Sequence, residues 1–292
     1  MRPAAWPRFR ARVRAPITGA ALAFALNPGC AAGVSNFAPA HVGPKGQWSG
    51  HAGVDLAIPT GGIGPLVDAG KTLAQAARSR TLSEDEKIRV FAAGVNLALN
   101  APGFVQHFSL AYNPVARWQL VASRIGGAWK LGGRHQLLAQ DVDGADGSVG
   151  LALSRYSYGP PAIIDVIDVI HLDDFQRWTI DVPMAIGRHG RYHRWWTGPK
   201  FTYVHHTAQL VLRTPGQAGA PAQEDVASTS GSASYWGGYA GAALGYRSVF
   251  IATELTIVRL IGTAELNVFG RTTSADTSSW VISPGIALLG EF

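Results

Sequence analysis

What most constrains this chain is an alternation. From residue 47 to the C-terminus, apolar and polar residues trade places one by one, segment after segment. In 176–186, Trp178, Ile180, Val182, Met184 and Ile186 share a face, opposite Arg177, Thr179 and Asp181. In 47–58, Trp48, Ala52, Val54, Leu56 and Ile58 oppose Gln47, Ser49, His51 and Asp55. In 116–126, Trp118, Leu120 and Ala122 oppose Arg117, Gln119 and Ser123. In 129–140, Trp129, Leu131, Leu137 and Ala139 oppose Lys130, Arg134, Gln136 and Gln140, with His135 misplaced on the apolar face. In 249–258, Val249, Ile251, Leu255 and Ile257 oppose Glu254 and Thr256. Period two is the signature of a strand with one wet and one apolar face. Further strands are expected near 103–111, 148–158, 198–212, 235–246 and 280–292, with 89–99 an eleventh or an extension at the rim.

The mature chain holds no uncharged apolar run long enough for a transmembrane helix, which needs about 20 residues. A soluble sandwich would alternate too, so the choice rests on which face meets water. Charged residues make up only 15% of the chain, against about 25% in ordinary soluble proteins. Six tryptophans (Trp48, Trp118, Trp129, Trp178, Trp236 and Trp280) stand near strand ends, as an interfacial girdle would. Connections are short at Asn113-Pro114, 144–147 and Arg247-Ser248, and long at 59–87, 159–174 and 213–234. The expected fold is all-β: a closed antiparallel up-and-down transmembrane β-barrel of about ten strands (eight to twelve), long loops on one rim and short turns on the other. Its inward face would carry Gln47, His51, Asp55, Arg117, Lys130, Arg134, Arg177, Asp181 and Glu254, enough opposite charge to fill a narrow lumen.

The N-terminus has the order of an export signal. Residues 1–14 are basic without an acid, 17–26 are apolar, and Asn27-Pro28-Gly29-Cys30 breaks the run. The segment resembles a bacterial lipoprotein signal, with Gly29 before Cys30 as the acylation candidate; Asn27-Pro28 departs from that pattern. The other route is ordinary cleavage after Ala31 or Ala32. The expected division is a signal peptide at 1–30, of lipoprotein type if Cys30 is acylated, a flexible tether rich in Gly and Pro at 31–45, and the barrel at 46–292. Five arginines lie in the signal, so the net charge of +6 says little about the remainder, and nothing suggests a nucleic-acid partner.

Residues 280–292 alternate and end on an aromatic: Ile286, Leu288, Gly290 and Phe292 share a face. This resembles the last strand of small bacterial outer-membrane β-barrel proteins. The resemblance covers roughly 46–292 and implies outer-membrane localisation, contact with outer-membrane lipid, and a terminal strand read by the barrel-assembly machinery.

Candidate chemistry is sparse. Asp165, Asp168 and His171 would share a stripe on a helix, an amphipathic rim element more readily than a cation site. His189, His193, His205 and His206 sit among basic and aromatic residues suited to lipid head groups. Ser49, His51 and Asp55 are pieces of a hydrolytic group on one strand face, but no nucleophile elbow accompanies them. Residues 213–234 look like a flexible loop, 65–80 like a short helix, and Ser83 to Glu86 has capping-box spacing. The expectation is a non-enzymatic barrel without cofactor or metal, structural, narrow-pore or binding. The alternatives are a barrel hydrolase acting on lipid or peptide, or a soluble or lipid-tethered periplasmic barrel for an apolar ligand.

Overall fold

The computed structural model describes residues 33–61, 82–158, 170–214 and 223–292, with isolated positions 64, 68 and 71. In chain order the elements are β1 (Trp48–Pro59), α1 (Glu84–Leu99), β2 (Gly103–Val115), β3 (Trp118–Ile125), β4 (Ala128–Leu138) and α2 (Gln140–Asp143). There follow β5 (Asp146–Tyr158), β6 (Ile170–His189), β7 (His193–Thr214), β8 (Gln223–Tyr246), β9 (Val249–Val268), β10 (Arg271–Asp276) and β11 (Ser279–Glu291).

Every strand pairs antiparallel with its neighbour from β1 to β9, and β11 lies between β9 and β1, so ten strands close on themselves. β10 is the extra strand. It pairs with the upper part of β9 (Thr263 to Val268) while β11 pairs with the lower part (Val249 to Leu260). The Thr277 N–H donates to the Gly262 carbonyl at 3.0 Å across the break, which makes β10 the interrupted continuation of the closing strand. At the seam, Trp48 and Phe292 exchange both backbone hydrogen bonds, at 3.0 and 2.8 Å. Closure removes the free edges around the ring of ten strands; β10 and the tops of β6 and β8 project beyond it with one side unpaired.

The two rims differ. The start of β1, the end of β11, the turns at 116–117, 190–192 and 247–248, and α2 share one rim; α1 and the strand ends at Pro59, Gly103, Tyr158, Ile170, Thr214 and Gln223 lie at the other. The wall is also uneven. β6, β7, β8 and β9 run 20, 22, 24 and 20 residues, whereas β3 has 8 and β4 has 11. At about 3.3 Å per residue the tall strands project far beyond the short ones on the long-loop rim.

The polarity is inside-out. Phe104, Leu120, Leu131, Ile251 and Leu288 are 54–68% exposed on the outer face, while Asp55, Asp181, Lys200 and Glu254 are no more than 5% exposed inside. The alternation in β9 shows both sides of this: Val249, Ile251, Leu255 and Ile257 point out, and Glu254 and Thr256 point in.

Four expectations change on the structure. Residues 84–99 form a helix, against the expectation of a strand at 89–99. Ser83 caps it, with the Glu86 N–H donating to Ser83 Oγ and the Ser83 N–H to Glu86 Oε2, so the capping box belongs to the segment after it. Val90, Phe91, Val95 and Leu99 recur at helical spacing on its buried face. Residues 223–234, expected as loop, are the first half of β8; Ser and Thr there are held by ladders to β7 and β9 on both sides, a tertiary effect that composition hides. Ile170–Asp174 likewise belong to β6, so His171 pairs with Val211; Asp165, Asp168, Cys30 and most of 65–80 lie outside the described residues. Arg117 occupies the turn between β2 and β3, exposed and with φ of 65°, not the lumen.

Candidate functional site

The lumen is occupied by the protein itself. Of the expected tether 31–45, residues 33–45 are described, and they run through the barrel as an irregular strap, with Val34, Ser35, Phe37, Ala40 and Val42 buried. A strap without strand partners must have its backbone groups met by side chains, and the wall meets them. Glu254 accepts from the N–H groups of Asn36 at 2.7 Å and Phe37 at 3.0 Å, and from the Trp196 indole at 2.9 Å. Asp55 accepts from Ser283 Oγ at 2.8 Å and the Ser35 N–H at 3.3 Å, with His107 Nε2 3.1 Å away. Lys200 donates to the Val34 carbonyl, Arg134 to the carbonyls of Pro39 and His41, and the Val42 N–H to Gln136 Oε1.

Charge is balanced locally. Asp181 is paired with Lys130, bonded by Thr202 Oγ1 at 2.5 Å, and lies 3.6 Å from Lys200 Nζ; both lysines also reach Asn36 Oδ1. Glu291 forms a forked pair with Arg194 and accepts from His41 Nε2 at 2.9 Å. Charge-assisted bonds of this kind are the strong ones, and a buried charge without one is costly. Phe37 fills the centre, 5.3 Å from the His107 ring. Gly285 makes room for it: a Cβ there would stand 2.5 Å from Phe37 Cζ. Beside the strap a cavity of about 120 Å³, lined by Ser49, His51, Ser123 and Arg134 among others, has room for a few waters.

At the long-loop end the interior turns apolar. α1 packs against the tall wall, where Val90, Phe91, Val95 and Leu99 join Leu210, Leu212, Leu260 and Leu266 in one cluster. Lys87 Nζ meets Asp225 at 2.6 Å within it, both side chains under 9% exposed. Tyr235 donates to Asn100 Oδ1 at 3.0 Å and fixes the end of the helix. Among the described residues, the strap occupies the polar part of the lumen and the helix its apolar end.

Of the residues expected to line the lumen, His51, Asp55, Lys130, Arg134, Arg177, Asp181 and Glu254 face inward, and Gln47 borders the cavity at the terminal rim. The pieces of a hydrolytic group do not assemble. Ser49 Oγ accepts from Gln119 at 3.2 Å, and Asp55 faces His107 and not His51. Among the histidines, His189 bonds Asp146 at 2.5 Å and stacks on His41, and His206 is buried inside β7 while His205 points out. No cluster of three metal-ligating side chains occurs among the described residues. Ile286, Leu288 and Phe292 lie exposed on the outside of β11. The sequence reading missed His107, Arg194, Lys200 and Glu291; residue-by-residue alternation in 103–111 and 193–202 would have shown the first three.

No family model matches the chain, and no curated protein matches it. Among solved structures, the N-terminal β-barrel domain of Pseudomonas aeruginosa OprF aligns at 11% identity and a TM-score of 0.20, over 85% of this chain and 100% of that one. The translocator domain of the autotransporter NalP from Neisseria meningitidis aligns at 11% identity and a TM-score of 0.19, over 86% and 90%. Likenesses this faint carry no argument; the closed ten-stranded barrel stands on its own strand pairing.

Proposed function

We propose that this protein is an integral barrel of the bacterial outer membrane, non-enzymatic and closed to solutes, acting as a structural or binding element. The observation that carries it is the inverted polarity: large apolar side chains cover the outside while buried carboxylates, lysines and arginines fill the inside. In water that outer face would be a vast exposed apolar surface; in lipid it is the expected solvent-facing side, and closure satisfies the backbone. The rim where β1 begins and β11 ends faces the periplasm, as short turns do in such barrels. Ile286, Leu288, Gly290 and Phe292 are the surface we assign to the barrel-assembly machinery. The strap and α1 argue for a sealed lumen over a narrow pore.

The test is fractionation with a heat-shift gel and planar-bilayer recording. Retention through carbonate extraction, faster migration before boiling, and conductance near zero are expected; extraction by carbonate or salt alone would overturn the reading. Palmitate labelling with Cys30→Ala as control separates acylation of Cys30 from its removal with the signal.

A further inference from the structure

The strap does more than fill space; it has a direction. Its contacts descend the wall in order. Gly33 lies against Ile125, the last residue of β3 before the turn at Gly126-Gly127: a Cβ on Gly33 would stand 2.4 Å from Ile125 Cγ2 and 2.7 Å from Val105 Cγ1. Ser35 is at Asp55, Asn36 and Phe37 at Glu254, Pro39 at Arg134, and His41 at Glu291, the end of β11. The Gly46 N–H then donates to the Asn113 carbonyl at 2.8 Å on the terminal rim. The two ends of the strap thus lie beside Val105 and Asn113 of β2, eight residues and about 26 Å of strand apart at 3.3 Å per residue, comparable with the hydrocarbon core of about 30 Å.

Gly33 therefore sits where the wall is lowest, at the edge formed by the shortest strands, β3 and β4. The cavities flanking the strap measure about 120 and 50 Å³, enough for waters but not for a second chain.

From this geometry we infer that the strap is an eleventh crossing of the membrane, made through the lumen, with Gly33 at the outer rim beside the end of β3. The protein thus presents the N-terminal end of its strap to the cell exterior while its C-terminus stays in the periplasm. This rests on the outer-membrane reading above.

The test uses single cysteines in the full chain on a Cys30→Ala background, probed with a membrane-impermeant maleimide. Ala32→Cys probes the strap end, Thr272→Cys in β10 marks the outer rim, and Val142→Cys in α2 marks the terminal rim; Thr272 and Val142 are exposed. Ala32→Cys is expected to label on intact cells as fully as Thr272→Cys, while Val142→Cys labels only after permeabilisation. Ala32→Cys labelling only after permeabilisation or denaturation overturns the inference. If Thr272→Cys and Val142→Cys do not differ, the outer-membrane reading itself fails and takes this one with it. Should Cys30→Ala block export, an epitope inserted between Ala32 and Gly33 with Cys30 intact gives the same readout by antibody on intact cells.

Discussion

Glu254 in β9 holds Asn36 in the strap: its Oε1 accepts the Asn36 N–H at 2.7 Å, across 218 positions of sequence. The same carboxylate also takes the Phe37 N–H and the Trp196 indole. Replacing it with Ala leaves three buried donors without an acceptor, each worth about 1–3 kcal/mol. Glu254→Ala is expected to loosen the strap without opening the barrel. Limited proteolysis after detergent extraction should cut within 33–45 in the variant and spare the parent, with the heat shift retained; unchanged protection would remove Glu254 from this role.

Deleting 33–45 should leave a folded barrel with an emptied inner lumen. Lys130, Arg134, Asp181 and Lys200 then face water and can remain charged. Small cation or anion currents are expected in planar bilayers if α1 also yields, so the informative variant combines the deletion with Phe91→Ala. Silence from that combination would show that the walls collapse inward.

α1 makes its own prediction. Phe91 is fully buried, and Phe91→Ala should cost about 3–5 kcal/mol in urea unfolding of the detergent-folded protein. The Lys87–Asp225 pair inside that cluster calls for a double-mutant cycle. Lys87→Met removes the cation paired with a buried carboxylate and should cost up to about 3–5 kcal/mol, whereas Lys87→Met with Asp225→Leu should recover part of it. Equal losses in single and double variants would deny the pair any coupling.

On the outside, Leu131 and Leu288 are more than half exposed. In lipid, Leu131→Lys is expected to destabilise by about 2–4 kcal/mol if it lies near the midplane, and in water a surface Lys would be almost free. Refolding into phospholipid vesicles of phosphatidylcholine measures the difference.

Much of the barrel was legible because period two is read one residue at a time. Glu254 and Asp181 are flanked by apolar neighbours, so the faces of β9 and β6 separate by inspection. Local composition misled wherever the partner was distant. Gly33, Pro39, Pro44 and Gly46 look like a linker because nothing near them in sequence offers a hydrogen bond; the strap's acceptors and donors come from strands 20 to 250 positions away. Residues 223–234 misled for the same reason, being small and polar until β7 and β9 pair with them. The α1 capping box was visible, but its direction depends on a helix whose apolar face matters only inside the barrel.

The strap joins β1 with one tight turn at Gly46, and β1 is half of the seam that β11 closes. Joining the ends of the chain is the pairing with the longest loop to close, and its entropy makes it the natural last step. A strap hung on the first strand must already be lying across the open sheet when the last one arrives. The order of assembly is thus written into the topology: the barrel folds around its own N-terminal segment, as a mould sets around a core, and no later threading is needed.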